Sequence, residues 1–387
     1  MQTALIFLLI LSVLVLVHEI GHYVAARIFG VKAEEFGYGF PPRATGIVKV
    51  DGKWKKVSSK DRTEYKNTVW SFNWLPLGGF VRLKGEQGEN ENDPDSFLAK
   101  RGWQKFIILA AGVCMNLVLA AVIFTGGFLV GVPSDLQDVP QNAQVSDKYI
   151  EITYVLPDSA ADQAGLQVGD TISSINGTVP TNTDETRALL QTDVEGTTYQ
   201  LDIHRNGGEQ TIEASSKQVN ALNRPGLGVM LADVGIVRLP IHLAIAEGVA
   251  VTFGYTRLIV SGLASLVKDL VVHQQVSADV SGPVGIAILT GTIARQGTWA
   301  LLHFTALLSI NLAVINFLPI PALDGGRAVF VVIEGLRRKR NNPQLEGAIH
   351  QIGFIVLIVL IILVTAHDIG QYGGMIWNGF LGIVGLN

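Results

Sequence analysis

Cysteine is almost missing from these 387 residues, and Cys114 is the only one. That excludes an intrachain disulfide framework and a zinc site built from thiolates. Cys114 sits in an apolar run and is expected to be a buried thiol. Charge is scarce too, at 16% of residues against 48% hydrophobic, with a mean hydropathy of +0.36. Such a composition points to a membrane protein. The net charge of −4 says little by itself, and no nucleic-acid partner is expected. The scarcity is sharpest at the start, where Glu19 is the only Asp, Glu, Lys or Arg among residues 1–26. Met1-Gln2-Thr3 lacks a basic n-region and no small-residue cleavage site precedes His18. The stretch is therefore expected to stay as a span and not to leave as a signal peptide.

That one acid belongs to His18-Glu19-Ile20-Gly21-His22. On a helix, residues four apart share a face, so His18 and His22 can offer ring nitrogens to one metal ion. H-E-x-x-H is the zinc-peptidase pattern, with two imidazole ligands and the glutamate as general base toward water at the metal. The setting is unusual. Thr3–Val17 is apolar apart from Thr3 and Ser12, and with residues 20–26 the helix is long enough for a bilayer core of about 30 Å. An ionisable group inside a span is costly and marks a functional site.

Charge is also unevenly distributed. Residues 27–105 carry 15 Lys and Arg against 10 Asp and Glu, whereas 131–300 carry 9 against 18. Arg327 and Arg337-Arg338-Lys339-Arg340 add a second basic region. The positive-inside rule then puts 27–105 and 327–340 in the cytoplasm and 131–300 outside. Four spans satisfy this, at about 4–26, 105–130, 299–319 and 349–367, with both termini extracytoplasmic.

Val69–Leu83 reads as strand–turn–strand around Pro76-Leu77-Gly78-Gly79, a β-hairpin associated with the membrane beside the metal site. Its Leu77, Gly78, Gly79 and Phe80 are the candidate substrate-binding residues, offering an edge strand to an extended peptide. Glu86–Asp95 is an acidic, solvated loop. Asn116, mid-span in Phe106–Val132, is read as a hydrogen bond to a neighbouring helix in preference to a site residue.

Residues 150–216 show short alternating strands at Ile150–Val155, Thr171–Ile175, Tyr199–His204 and Gln210–Ala214, with a helix at Asp184–Leu190. The phrase from Pro157 through Ala164-Gly165-Leu166 to Gly169-Asp170-Thr171-Ile172 and Ile175-Asn176-Gly177 resembles a PDZ domain. The resemblance implies peptide capture at Ala164, Gly165 and Leu166, and a domain that only restricts access to the site remains an equal alternative. Pro240–Val272 is apolar but carries Glu247, Arg257 and Lys268, and is read as amphipathic helices in the outer interface. Ser281–Gly291 suits close helix packing or a re-entrant segment.

The third span ends in Asn311–Arg327, with Asn316, Pro319, Pro321, Asp324 and the Gly325-Gly326 pair. Asp324 is suited to be the third metal ligand, leaving one position for water. Taken alone, a helix-capping aspartate is the better reading. Asn316 is the candidate oxyanion donor.

HEIGH, then PLGGFV, one PDZ-like domain, GPVGIA and NFLPIPALDGG occur in this order. The chain thereby resembles the bacterial site-2 proteases, the zinc metalloproteases of regulated intramembrane proteolysis, over essentially its whole length. The resemblance implies one Zn2+ per chain on His18, His22 and Asp324, with Glu19 catalytic. It also implies cleavage of single-pass membrane proteins, such as anti-sigma factors or signal-peptide remnants, in a bacterial inner or plasma membrane. The expected architecture is a polytopic α-helical membrane protein of about four transmembrane helices, with the β-hairpin and one inserted extracytoplasmic PDZ-like β-rich domain. Its parts are 1–132, the PDZ-like domain 145–218, a linker and amphipathic or re-entrant segment 219–298, and 299–387. Two features depart from the family: a single PDZ-like domain, and a long basic stretch at Gly46–Asn67. Expected partners are single-pass substrates, the lipid bilayer and peptide tails. The competing class is a non-catalytic PDZ-bearing receptor or scaffold. A membrane zinc peptidase acting on soluble or lipidated tails is a third.

Overall fold

The computed structural model describes residues 2–61, 63–86, 88, 92–137, 139–140, 142–191, 194–205, 207–219, 224–273 and 282–384. In chain order, α1 (Gln2–Ile28) leads to β1 (Ala33–Val50), β2 (Lys53–Val57), β3 (Val69–Leu83) and α2 (Gly102–Val130). Then come β4 (Val132–Asp135), β5 (Gln144–Val155), α3 (Ala160–Gln163), β6 (Thr171–Ile175), α4 (Thr183–Leu190), β7 (Thr198–Arg205) and β8 (Gly208–Ser215). Three strands follow, β9 (Lys217–Val219), β10 (Arg224–Gly226) and β11 (Val229–Arg238). The rest is helical: α5 (Ile241–Lys268), α6 (Pro283–Gln296), α7 (Thr298–Phe317), α8 (Asp324–Arg337) and α9 (Pro343–Val384). The chain forms two compact units, Met1–Phe124 with Gly248–Asn387, and Thr125–Glu247.

Among the described residues, five helices are long and apolar enough to cross a membrane: Gln2–Ile28, Gly102–Val130, Ile241–Val272, Thr298–Phe317 and Gln344–Gln371. Four of them match the expected spans. The fifth covers the stretch read as interfacial amphipathic helices, and it is one continuous helix with a π-helical turn at Asp269–His273. Its charges, Glu247, Arg257 and the adjacent Lys268 and Asp269, are few enough that an 18-residue window keeps a mean hydropathy of 1.4 with no more than two of them. Ser281 lies outside the described residues, and the glycine-rich stretch after it is α6.

In the first unit, β3 is not the expected hairpin. Its first arm pairs with Glu35–Tyr38 of β1 (Phe36↔Trp70, Gly37↔Ser71), and so does its second arm (Phe36↔Val81, Gly37↔Phe80). The start of β1 therefore lies between the two arms, which do not pair with each other. The later part of β1 folds back along the first arm (Gly46↔Ser71) and also pairs with β2 (Gly46↔Val57). Much of the long basic Gly46–Asn67 stretch is thus the end of β1 together with β2. Burial of Glu35 between Arg43 and Arg82 pins this curled sheet. Gly21 lets α1 approach the backbone of α2, because a Cβ there meets Ala111 C and Met115 Cγ at 2.7 and 2.8 Å. Cys114, expected to be buried, is exposed. In a span apolar on all sides, composition cannot tell a lipid-facing position from a packed one.

The second unit is a six-stranded antiparallel sheet in the order β4-β11-β5-β6-β7-β8. Its core holds Ile150, Ile152, Leu166, Ile172, Ile175, Leu201 and Ile203. The four anticipated strands and the helix at 184–190 are all present, as β5–β8 and α4. The sheet reaches beyond 145–218, however. β11, from the segment read as linker, lies between β4 and β5, and its alternating burial fits one core-facing side. Asp170, 1% exposed, accepts from Arg205 Nε at 2.7 Å and Nη2 at 2.6 Å and from the Gln167 amide. A bidentate pair of this kind supports a buried charge.

Candidate metal centre

The apolar run of α1 delivers His18 and His22 one turn apart on its buried face, 5% and 7% exposed. Asp324 comes from 302 residues beyond His22, as the first residue of α8. It arrives because Leu318–Leu323 breaks the helical path after α7, with Ala322 at positive φ. Gly325 and Gly326 allow that tight approach: a Cβ on either would collide with the carbonyls of Phe317, Leu318 and Ile320.

The three donor groups converge. His18 Nε2 lies 2.9 Å and His22 Nε2 3.3 Å from Asp324 Oδ2, with 3.1 Å between the two nitrogens. All three ligand atoms lie within 4.8 Å of one another. Burial raises the Asp324 carboxyl, but the two imidazoles more than offset this and hold it below the usual carboxylate range. It thus offers an ionised oxygen.

The surroundings fit a metal ion. His22 Nδ1 donates to Ile108 O at 2.8 Å, which leaves Nε2 as the free electron pair. Asn116 Nδ2 lies 3.3 Å from His18 Nδ1, while the buried Asn116 Oδ1 has no partner. Turning that amide over presents Oδ1 to an Nδ1–H and frees His18 Nε2 as a ligand. Gly112 on α2 keeps the space open: a Cβ there would lie 2.8 Å from His18 Nε2 and would collide with His22 Nε2. Asn116 is thus in contact with the site. The link from α2 to α7 runs instead through its backbone oxygen, which accepts from Ser309 Oγ at 2.8 Å.

Glu19 faces the second arm of β3 and accepts from Val81 N at 2.9 Å. A cavity of about 360 Å3 contains His18, Glu19, His22 and Asp324, walled by Phe40, Phe80, Val81 and Arg327. A neighbouring cavity, also about 360 Å3, shares Glu86, Phe97, Leu109 and Arg327 with it. Arg327 pairs with Glu86 there. Glu86, read from sequence as part of a solvated acidic loop, is half-buried here, and its pairing across 241 residues leaves no local pattern.

The remaining sequence candidates fall as follows. Gly78, at φ +75°, is buried and packs on Val15, where a Cβ would lie 2.8 Å from Cγ1. Gly79 is also buried, and its added Cβ would lie 2.9 Å from Gly37 O and 4.0 Å from Glu19 Cγ. The side chain of Leu77 lies outside the described residues. Asn316 is on α7 and does not line the cavity. Ala164, Gly165 and Leu166 follow α3: Gly165 is at φ +80°, and Leu166 is buried in the core.

Two imidazoles and a glutamate on a helix apolar enough to cross a membrane, joined by a carboxylate from the start of α8, define a membrane metallopeptidase. The model of peptidase family M50 matches residues 6–360, and the chain belongs to that family, the site-2 proteases. It is accordingly a zinc metalloprotease and a multi-pass membrane protein. A relative from Clostridium perfringens is 33% identical, covering 94% of this chain and 97% of its own. The zinc metalloproteases RasP of Geobacillus kaustophilus and Oceanobacillus iheyensis are 29% and 27% identical. They cover 96% and 95% of this chain and 99% of their own. The PDZ domain of an SdrC-like protein from Listeria monocytogenes aligns over 23% of this chain and 92% of its own at 19% identity. Its TM-score is 0.21, at which the likeness carries no argument.

Proposed function

We propose that this chain is an intramembrane zinc endopeptidase that cuts the membrane segments of single-pass proteins in regulated intramembrane proteolysis. The observation that carries this is the meeting of His18, His22 and Asp324 beside Glu19. One zinc ion per chain would be held by the two Nε2 atoms and the Asp324 carboxylate. When bound, it supplies Lewis acidity toward water and the scissile carbonyl. Glu19, oriented by the Val81 amide, takes a proton from the attacking water. The water oxygen bonds to the carbonyl carbon, the C–N bond breaks, and Glu19 hands its proton to the leaving amine.

A transmembrane helix hides its carbonyls in hydrogen bonds, so the substrate must be unwound locally. The second arm of β3 has no strand on its outer side among the described residues, and it borders the cavity. An extended substrate pairing along Gly78, Gly79 and Phe80, beside Leu77, would bring a carbonyl toward the metal ligands. Arg327 is the cation lining the same cavity, and we assign it a stabilising role toward the oxyanion in place of Asn316. The neighbouring cavity, which shares Glu86 and Arg327 with the metal site and adds Lys105 and Glu334, is the route we assign to water. The inserted sheet unit, on the extracytoplasmic side of a bacterial plasma membrane, would bind peptide tails or filter substrates.

Metal content and cleavage of a model single-span protein, measured together, test this. Wild type should hold about one zinc and cut, E19Q should keep zinc without cutting, and D324N should lose zinc. Cleavage by E19Q at the wild-type rate would rule out the catalytic assignment.

A further inference from the structure

Between the start of α2 and the outer side of α8 runs an apolar groove that the chemistry above does not use. One part, of about 410 Å3, is lined by Gly102, Trp103, Phe106, Ile107, Val332 and Gly335, among others. The other, of about 190 Å3, continues along Phe106 and Val332 to Phe317 and Gly325. The glycines keep it open: at Gly335 a Cβ would meet nothing within 4 Å, and at Gly102 only Val331 Cγ1 at 4.0 Å. On α8, Val329, Val332, Ile333 and Leu336 form one exposed apolar stripe at helical spacing.

The groove's lining is apolar, and basic residues flank it in sequence at the ends of both helices. Arg101 directly precedes Gly102, and Arg337, Arg338 and Lys339 follow two to four residues after Gly335. All four are exposed, and among the described residues none has an ion-pair partner. Glu334, the acid nearest in sequence, pairs with Lys105 instead. Four unpaired cations at the end of an apolar groove match an amphiphile with an anionic head. A second copy of the same surface would bring like charges together, and a membrane apolar stretch alone needs no cations.

We propose that this groove binds an anionic phospholipid, its headgroup on Arg101, Arg337, Arg338 and Lys339 and an acyl chain along Phe106 and Val332. The positive-inside rule accounts for basic residues at this end of the helices, but not for a chain-sized groove opening among them. The occupied groove would border Gly325, next to the metal ligand Asp324, so the lipid would lie against the helix that presents that ligand.

Trp103 lines the groove and is 55% exposed, which makes it the probe. The full chain would be reconstituted in vesicles containing brominated phosphatidylglycerol or brominated phosphatidylcholine. Quenching lost in W103F isolates the Trp103 signal. The anionic lipid should quench Trp103 at least about threefold more effectively. The preference should shrink with salt and vanish in the R337Q/R338Q/K339Q triple variant. V332F, which fills the groove without adding a fluorescent indole and keeps the charge, should lose quenching by both lipids. R101Q, on the opposite wall, provides a second charge variant should the triple one fail to fold. Inorganic phosphate at millimolar concentration should not compete. Equal quenching by both lipids would overturn the proposal, as would shielding of Trp103 from both by a second copy. Abolition of the preference by phosphate would overturn it too.

Discussion

Val81 and Glu19 are joined by a hydrogen bond of 2.9 Å from the strand amide to the carboxylate. The edge strand beside the cavity therefore holds the only acid of the first helix in place. A hydrogen bond to a charged acceptor contributes about 1.5–3 kcal/mol, enough to fix the direction of a carboxylate.

Removing that donor tests the relationship. The Val81 amide points to α1, away from β1, so V81P should spare the ladder as proline does at an outer strand. We expect zinc to be kept and cleavage to fall by about 10–100-fold, the equivalent of losing one charge-assisted bond. V81A, which keeps the amide, should stay within about threefold of wild type. A V81P enzyme as fast as wild type would show that the bond does not orient Glu19.

Much of this was legible in the sequence because the H-E-x-x-H motif sits in a span that otherwise lacks charge. Glu19 stands out in a run without other charge, and the i, i+4 spacing of His18 and His22 survives any helix geometry. The strands of the inserted unit were legible by alternation, since a period of two needs no long-range information. The arms of β3 were read as a hairpin because the turn residues are correct, yet β1 intervenes. Pairing partners are a long-range choice that local propensity does not encode. β11 was taken for linker because its place between β4 and β5 depends on strands far away in the chain. Asn116 was read as a helix contact in preference to a site residue, and its proximity to His18 emerges only when α2 is packed on α1.

Gly112 should be intolerant of the smallest side chain. Alanine favours a helix over glycine by about 0.8–1 kcal/mol, so any loss in G112A must come from contact. The added Cβ falls 2.8 Å from His18 Nε2 and onto His22 Nε2, while His22 is tethered through Nδ1 to Ile108. Zinc content measured after dialysis should fall by at least about tenfold, with helicity unchanged; a donor misplaced by even 1 Å is costly in a site of fixed geometry. G126A, on the same helix but with open space around the Cβ, is the control and should retain zinc.

Glu35 predicts an acid-sensitive sheet. Burial raises its carboxyl, but Arg43, Ser71 and Arg82 together lower it below the ordinary value. Its contribution to stability is thus complete above the unfolded-state pKa of about 4.3 and is lost as pH falls through the lowered folded-state value. Thermal unfolding of wild type should drop more steeply below about pH 4.3 than that of E35Q. At pH 7, E35Q should be less stable by about 1–3 kcal/mol, because Arg43 loses its ionic partner. Parallel pH curves for the two proteins would show that the pair contributes nothing.

Asp368, on α9, is fully buried and accepts from Gly282 N at 3.0 Å and Gly285 N at 2.8 Å. It thereby satisfies two of the donors left open at the start of α6, which a residue of the helix itself normally does. Gly282 has no side chain to do so, and a Cβ there would lie 2.8 Å from Asp368 Oδ2. D368N, with one oxygen instead of two, should speed hydrogen exchange at the Gly285 amide, and D368A should do so further. Unsatisfied buried donors cost about 1–3 kcal/mol, so exchange that follows local opening should rise by about 5–150-fold in D368A. α6 reaches α1 where Gly291 meets Thr3, 15 residues before His18 and hence about 22 Å away along the helix. Zinc content should therefore be unchanged in both variants. Loss of zinc in D368N would mean that the seat of α6 is coupled to the metal ligands along the length of α1.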